Sequence, residues 1–393
     1  MLQSGCELAG TVEESDFPSE IADDSVGADD DETFGDSVVK PTTPVQQPVV
    51  VDAGATTSAP AQQTTAPVAQ PTAPAQQTTA PVKQPTAPVA SAPAPTAPTA
   101  PATASKTLQV SGRKILDTCG QPWVARGVEQ LAGKAFSADG TYANLASELI
   151  KTGSNAVRIL PQIAEVTASD LDAMLSAFEQ AKVVVYISPG DRSWFKRKEI
   201  RDVLVRHEKA LILDAFQEPN YDDVPRWIRE AKAAIAELRS AGYAAPLTVL
   251  GSQYGRDLPN LLEHGQEIVD ADPLHNTILG WQAYWGNGGW YQKQAGMSLA
   301  QAVEKSATMN FPVQVGIDLY ADANDPMDYQ TVMAASQKSG VSWLWWNFWN
   351  KWDGMGNNAS TDGTAAHLTT AGKTFIQDDA NSIAKTSKKA CFR

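Results

Sequence analysis

From residue 106 onward, short apolar runs alternate with longer segments whose apolar residues recur every three or four positions. Eight runs predict strands, at 123–128, 156–160, 183–187, 211–216, 247–250, 277–284, 313–318 and 342–348. Helical spacing between them is clearest at 141–151, 169–180, 224–241, 298–309, 326–338 and 371–384. Ahead of the first strand, Leu108 and Val110, a turn at Ser111-Gly112, then Ile115 and Leu116 predict a hairpin closing the bottom of the domain. Apolar strands alternating with helices imply a parallel sheet covered by helices. Eight such units fit a closed (β/α)8 TIM barrel. The alternative is an open doubly wound sheet, but Arg126-Gly127-Val128-Glu129 is not a glycine-rich phosphate loop.

The pattern stops below residue 106. From Pro41 to Pro101 there are fourteen prolines among Thr, Ala, Val and Gln, and Ala61–Pro74 repeats as Ala75–Pro88 with Ala69 exchanged for Lys83. Prolines this frequent remove amide donors and fix φ, so residues 41–105 read as a polyproline-like spacer. Residues 1–40 read as a disordered acidic leader. The organisation expected is therefore leader 1–40, linker 41–105 and barrel 106–393.

Charge separates the same parts. Residues 1–105 carry 13 acidic side chains, two lysines and no arginine, a balance of -11 out of -14 for the chain. The barrel is left at only -3. Nucleic-acid binding needs clustered Lys and Arg, so a nearly neutral domain argues against it and suits an uncharged ligand. No stretch approaches the roughly 20 apolar residues of a membrane span.

Residues 1–40 lack the basic flank and apolar run of a signal peptide. Ser4-Gly5-Cys6 looks like the end of a bacterial lipoprotein signal, which would make Cys6 a lipid anchor; an incidental cysteine is the other reading. Cys119 and Cys391 fall at the two ends of the barrel domain, where the chain termini of a closed barrel approach each other. A disulfide between them would agree with a secreted or envelope-associated location; two buried thiols would look the same in sequence.

In a barrel, chemistry belongs at the carboxyl ends of the strands. Those positions are Glu129, Arg158, Asp191, Glu218, Gln253, Gln282, Tyr284, Asp318, Asn347 and Trp349. Carboxylates, amides, an arginine and aromatics suit a hydroxyl-rich ligand with flat apolar faces, as a sugar has. No His/Cys/Asp cluster stands at metal spacing, and no cofactor is expected.

Several motifs then resemble glycoside hydrolase family 5, the cellulase and β-mannanase family. They are Gly120-Gln-Pro, Arg126-Gly127-Val128, Gly153-Ser-Asn-Ala-Val-Arg158-Ile, Gln217-Glu218-Pro219, Trp227 with Leu238-Arg239-Ser-Ala-Gly242, Ala271-Asp272-Pro273 with Asn276, and Gly340-Val-Ser-Trp343-Leu-Trp-Trp346. Each is short; their order from Gly120 to Trp346 carries the resemblance. It implies a glycosidase acting on a β-1,4-linked glucan or mannan, with Glu218 as general acid/base. Arg158 would hold the nucleophile, Tyr284 would hydrogen-bond it, and Trp346 would stack under the sugar at the cleavage point. Tryptophans 281, 285, 290, 343, 345, 349 and 352 crowd the same half of the chain, and at least half of them are expected in the core. A monomer is expected.

The sequence departs from the family at three positions. Gln217 replaces the Asn before the acid/base, and Gln282 replaces a His on the sixth strand. The family's nucleophilic Glu follows a glycine, which points to Ile317; the nearest carboxylate is Asp318. Strand periodicity puts Val313, Val315 and Ile317 on one face and Gln314, Gly316 and Asp318 on the other. Retention needs carboxyls roughly 5–5.5 Å apart and inversion roughly 6.5–9.5 Å. Three outcomes stay open: a retaining enzyme with an Asp nucleophile, an inverting enzyme using Glu218 and Asp318, or a non-catalytic carbohydrate-binding pseudoenzyme.

Overall fold

The computed structural model describes residues 105–284, 296–318, 327–352 and 356–393. The acidic leader, the linker up to residue 104, Cys6, Trp285 and Trp290 lie outside the described residues. Three short strands, β1 (Gln109–Ser111), β2 (Lys114–Leu116) and β3 (Pro122–Trp123), pair antiparallel in a small sheet. Gly112 makes the hairpin turn with a φ of 54°, in the left-handed region where a glycine has no Cβ to clash.

Eight parallel strands follow: β4 (Arg126–Ala132), β5 (Ala156–Pro161), β6 (Val184–Ile187), β7 (Leu211–Phe216), β8 (Leu247–Leu250), β9 (Thr277–Ala283), β10 (Val313–Asp318) and β11 (Ser342–Trp346). Each pairs with its neighbour in the chain, and β11 returns to pair with β4, closing the (β/α)8 barrel. The first barrel strand starts at Arg126 and not at residue 123. Trp123 pairs with Ile115 of the hairpin sheet instead, and the barrel strand runs on through Glu129 and Gln130. Those polar residues end the apolar run in the sequence, yet both find partners: Glu129 on Arg158, and Gln130 on the carbonyls of Leu131 and Trp349.

The helices begin where short polar side chains cap them. Thr141 accepts from the Asn144 amide, Thr167 and Ser298 form reciprocal capping boxes with Asp170 and Gln301, and Asp223 accepts from Arg226. The expected helix at 371–384 is broken into Thr370–Lys373, a wider turn at Thr374–Asp378 and Ile383–Thr386. There the chain must press against a neighbouring loop, since a Cβ on Gly372 would lie 2.0 Å from the Ala359 carbonyl oxygen.

Two apolar layers result from strand periodicity. Outward residues, among them Val128, Val157, Leu213, Val249, Trp281, Ile317, Trp343 and Trp345, pack against Leu149, Phe178, Trp227, Leu238 and Val332 of the helices. Inward residues Ala156, Val184, Tyr186, Ile212, Ile278 and Leu344 fill the lower lumen with Leu108, Ile115 and Trp123 of the hairpin and Phe392 of the tail. Each fully buried Val, Leu or Ile side chain contributes roughly 1.5–3 kcal/mol. The floor is therefore solid, and polar groups are left for the opposite end.

The tail is held to the hairpin side by a disulfide between Cys119 and Cys391, with Cα atoms 5.7 Å apart. The Cys391 amide donates to Asp117 Oδ2 at 2.9 Å alongside it. Nearby, Arg239 grips Asp272 with two 2.8 Å bonds and donates to the Tyr243 and Ala245 carbonyls. Asn276 bridges from there to Leu108 and Val110 of the hairpin. Three of the family-like landmarks, Arg239, Asp272 and Asn276, are thus structural.

Burial alone would raise the Asp272 carboxyl, but the Arg239 bonds, the Leu274 amide and the Thr277 hydroxyl hold it down at about 2. A depressed folded-state value contributes stability that is fully present above the ordinary Asp value and lost as pH falls toward 2. Asp272→Asn leaves a buried guanidinium unpaired, and its expected cost is about 3–5 kcal/mol. Thermal melts followed by circular dichroism check this: the midpoint should drop at pH 7 and the gap to wild type should shrink toward pH 2. An unchanged midpoint would show the pair to be dispensable.

Candidate active site

The rim at the carboxyl ends of the barrel strands is built from residues whose direction the sheet dictates. On β10, Ile317 is fully buried in the layer between strands and helices, beside Ala283 and Trp345. The register of β10 is unbroken on both sides, so no bulge re-aims it. Asp318 therefore shares the lumen-facing side with Gln314 and Gly316, is 4% exposed, and stands in register opposite Trp346. The position to which the family pattern points holds an apolar side chain facing the helices.

A bulge occurs instead on β7, where the pairing with β8 jumps from Asp214/Thr248 to Phe216/Val249. Asp214 points inward before it, while Ala215 and Phe216 both join the outer layer. Two residues on, Glu218 sits at φ 40°, a left-handed conformation that non-glycine residues rarely adopt. The loop after β8 braces it. Tyr254 donates its amide to the Pro219 carbonyl at 3.0 Å, and Gln253, Tyr254 and Gly255 all have positive φ.

The Glu218 carboxyl receives two hydrogen bonds on one oxygen. Gln282 Nε2 and Tyr284 Oη each donate to Oε1 at 3.2 Å. Among the described residues no hydrogen bond reaches Oε2, which leaves that oxygen able to carry a proton. Room for Gln282 comes from two glycines: a Cβ on Gly316 would lie 1.7 Å from its Oε1, and one on Gly255 would lie 2.5 Å from its Cγ. Burial, reinforced by the negative charge of Glu129 and opposed by Arg158 and Tyr284, pushes Glu218 up to about 7. A carboxyl still protonated near neutrality is matched to giving and taking a proton.

Below Glu218 lies a buried ionic floor. Arg158 Nη1 stands 3.2 and 3.3 Å from the two Glu129 oxygens, and Nη2 stands 3.5 Å from Asp214 Oδ2. All three residues are at most 2% exposed. Ser188 Oγ lies 2.9 Å from Asp214 and 2.6 Å from Gln217 Oε1, linking the floor to the residue beside Glu218. Arg158 thus spends its charge on Glu129 and Asp214, partners that the sequence reading did not give it. Asp214 was missed although it is legible as a lone charge within the apolar run Leu211–Phe216; Ser188 carries no such signal.

Trp346 is half-buried against Leu131, Phe136 and Leu160, an aromatic wall at the rim. Trp281, Trp343 and Trp345 are fully buried, Trp349 is half-buried, and Trp352 is 63% exposed with its ring edge on Phe136. Asp191 stands apart from the cluster, capping a turn by accepting from the Ser193 amide. Gln253 uses its carbonyl to hold Arg256, and Asn347 is 1% exposed. Among the described residues no group of three His, Cys, Asp or Glu side chains is arranged to hold a metal.

Fold and site together define a (β/α)8 barrel with a glutamate held by Gln282 and Tyr284, a second inward carboxyl and an aromatic wall at its rim. No protein-family model matches the chain. It is 25% identical over 298 residues to a mannan endo-1,4-β-mannosidase of Salipaludibacillus agaradhaerens, a match covering 71% of this chain and 93% of that protein. A second mannan endo-1,4-β-mannosidase, from Cellvibrio japonicus, is 25% identical over 314 residues, covering 74% and 70%. The β-mannanase of Streptomyces thermolilacinus with mannohexaose matches with a TM-score of 0.63 at 18% identity, over 73% of this chain and 98% of that one. The β-mannanase of Thermomonospora fusca matches with a TM-score of 0.63 at 19% identity, over 73% and 99%. The solved structures share the fold, and the sequence relatives support the resemblance to glycoside hydrolase family 5 and a glycosidase acting on a β-mannan or β-glucan.

Proposed function

We propose that the barrel hydrolyses β-1,4 linkages within a neutral mannan, with Glu218 as general acid/base and Asp318 as the second carboxylate. The observation that carries this reading is the Glu218 carboxyl, which among the described residues is bonded on Oε1 only, with burial pushing its pKa up to about 7. Oε2 gives its proton to the glycosidic oxygen as the bond to the anomeric carbon breaks. Asp318, across the rim, attacks that carbon or activates a water. Gln282 and Tyr284 hold Glu218 in place, and Trp346 offers an apolar face to the sugar ring. The relatives named as mannanases favour mannan over glucan.

A panel of β-mannans, β-glucans and bacterial exopolysaccharides, assayed for new reducing ends, tests the reading. Release from mannan is expected to exceed release from the others. A second reading is favoured by Ile317 at the family's nucleophile position: a groove that binds glycans without cleaving them. Binding of mannooligosaccharides with no reducing ends from any polymer would replace the first reading by the second.

The proposal places the protein outside the cytoplasm or at the cell envelope, which the Cys119–Cys391 disulfide supports. Residues 1–105 would then act as a tether, anchored through lipid on Cys6. No helix of the described residues is long and apolar enough to cross a membrane. The enzyme is proposed to act as a monomer and without a cofactor.

A further inference from the structure

With its φ at 40°, Glu218 holds a backbone conformation that persists only where the segments on both sides fix it. Downstream, the anchor is the loop after β8. The Tyr254 amide donates to the Pro219 carbonyl at 3.0 Å, Asn220 Nδ2 donates to Tyr254 Oη at 2.8 Å, and the Tyr221 amide donates to Ser252 Oγ at 3.0 Å. Upstream, the pairing of β7 with β8 ends at Phe216. The next side chain, Gln217, has a single hydrogen bond among the described residues, between its Oε1 and Ser188 Oγ at 2.6 Å. Ser188 directly follows β6 and is 1% exposed, and its amide donates to the Ile159 carbonyl of β5 at 2.9 Å. Its hydroxyl also lies 2.9 Å from the buried Asp214 Oδ2, so its own position is fixed by the barrel.

We propose that Ser188 is a positioning residue for Glu218: its buried hydroxyl holds the Gln217 side chain and clamps the upstream side of the turn whose downstream side the β8 loop holds. The inference rests on the reading of Glu218 as acid/base and adds a residue that aims it. The tie holds in either sense of the Gln217 amide. With Oε1 on Ser188 the hydroxyl donates to it; with Nε2 there, the hydroxyl accepts and donates to Asp214. Anchored on one side alone, the turn would relax about Gln217 and carry Oε2 away from the oxygen it serves. A displacement of about 1 Å at a reacting group is enough to cost on the order of 100-fold in rate.

The test uses the full chain. In Ser188→Ala, hydrogen exchange of the Tyr254 amide, which closes on Pro219, is expected to speed up by on the order of tenfold. The Cys391 amide, bonded to Asp117 at the hairpin end, should keep its rate. On mannan, kcat should fall by roughly 10–100-fold with KM little changed. Ser188→Thr, which keeps the hydroxyl, should recover most of that rate. Gln217→Leu severs the same tie from its half-buried end. Adding Ser188→Ala to it should move neither readout further, because the serine acts through that side chain. Should Ser188→Ala fail to fold, Gln217→Leu carries both readouts by itself. A Tyr254 amide that exchanges no faster, or that speeds up only in step with Cys391, would overturn the proposal, as would losses that add in the double variant. Selective loosening at Tyr254 in a protein that cleaves no glycan would leave Ser188 as the clamp and refute the proposed reaction.

Discussion

Glu218→Gln is expected to cut kcat on mannan by about 10²–10⁴-fold at pH 6, the usual span for loss of a general acid. The amide retains the acceptor oxygen that Gln282 and Tyr284 hold, so the site keeps its shape and mannooligosaccharide binding should persist. What disappears is the proton on Oε2. A nitrophenyl glycoside, whose leaving group departs without protonation, should recover much of the bond-cleavage rate. If the variant cleaved mannan at the wild-type rate, Glu218 would not be the acid.

The same substitution carries a stability signature whose sign follows from linkage. The folded-state value near 7 lies above the ordinary Glu value near 4.3. The folded protein therefore holds a proton that the unfolded chain releases, and this contribution is lost as pH rises through 7. The Glu218→Gln variant, with no proton to release, would show no such loss. Its melting temperature relative to wild type should therefore rise between pH 5 and pH 8. A difference that stays flat across this range would show that Glu218 titrates normally.

Asp318→Asn is expected to be as damaging as Glu218→Gln, because a neutral amide can neither attack the anomeric carbon nor activate water. The nitrophenyl glycoside should not rescue it, and that asymmetry separates the nucleophile or base from the acid. Early product anomers, read by NMR on the wild type, then distinguish retention from inversion. Ile317→Glu in an Asp318→Asn background provides the control on direction. Because Ile317 faces the helices from a fully buried position, the new charge should destabilise the barrel without restoring cleavage. Recovered activity in that double variant would mean that β10 presents residue 317, not 318, to the cleft.

Much of this molecule was legible from periodicity. Strands β5, β7, β8 and β10 lie where their apolar runs predict, and the helices at Tyr142–Lys151, Ala168–Gln180 and Val224–Ser240 match their spacing to within a residue. These elements are set by burial on one face, a property a sequence displays directly. Alternation alone also put Asp318 and Ile317 on opposite faces of β10. The helix broken after Lys373 and the first barrel strand, displaced to Arg126, were not legible. The first depends on the close approach of Ala359 to Gly372, and the second on whether Trp123 pairs with the barrel or with the hairpin.

The sequence by itself determined the barrel and pointed to the carboxyl ends of its strands, while the role proposed for Glu218 came from the resemblance to glycoside hydrolase family 5. Only the tertiary structure decided how the charges are shared. Arg158 lies between Glu129 and Asp214, Ser188 links Asp214 to Gln217, and Gly316 and Gly255 make the space from which Gln282 reaches Glu218. The reason is physical. Burial of apolar surface is summed over whole elements, so its pattern survives in one dimension. An ionic contact instead requires atoms on different strands to meet within a few ångströms, and closure of the barrel and the bulge in β7 set which ones do.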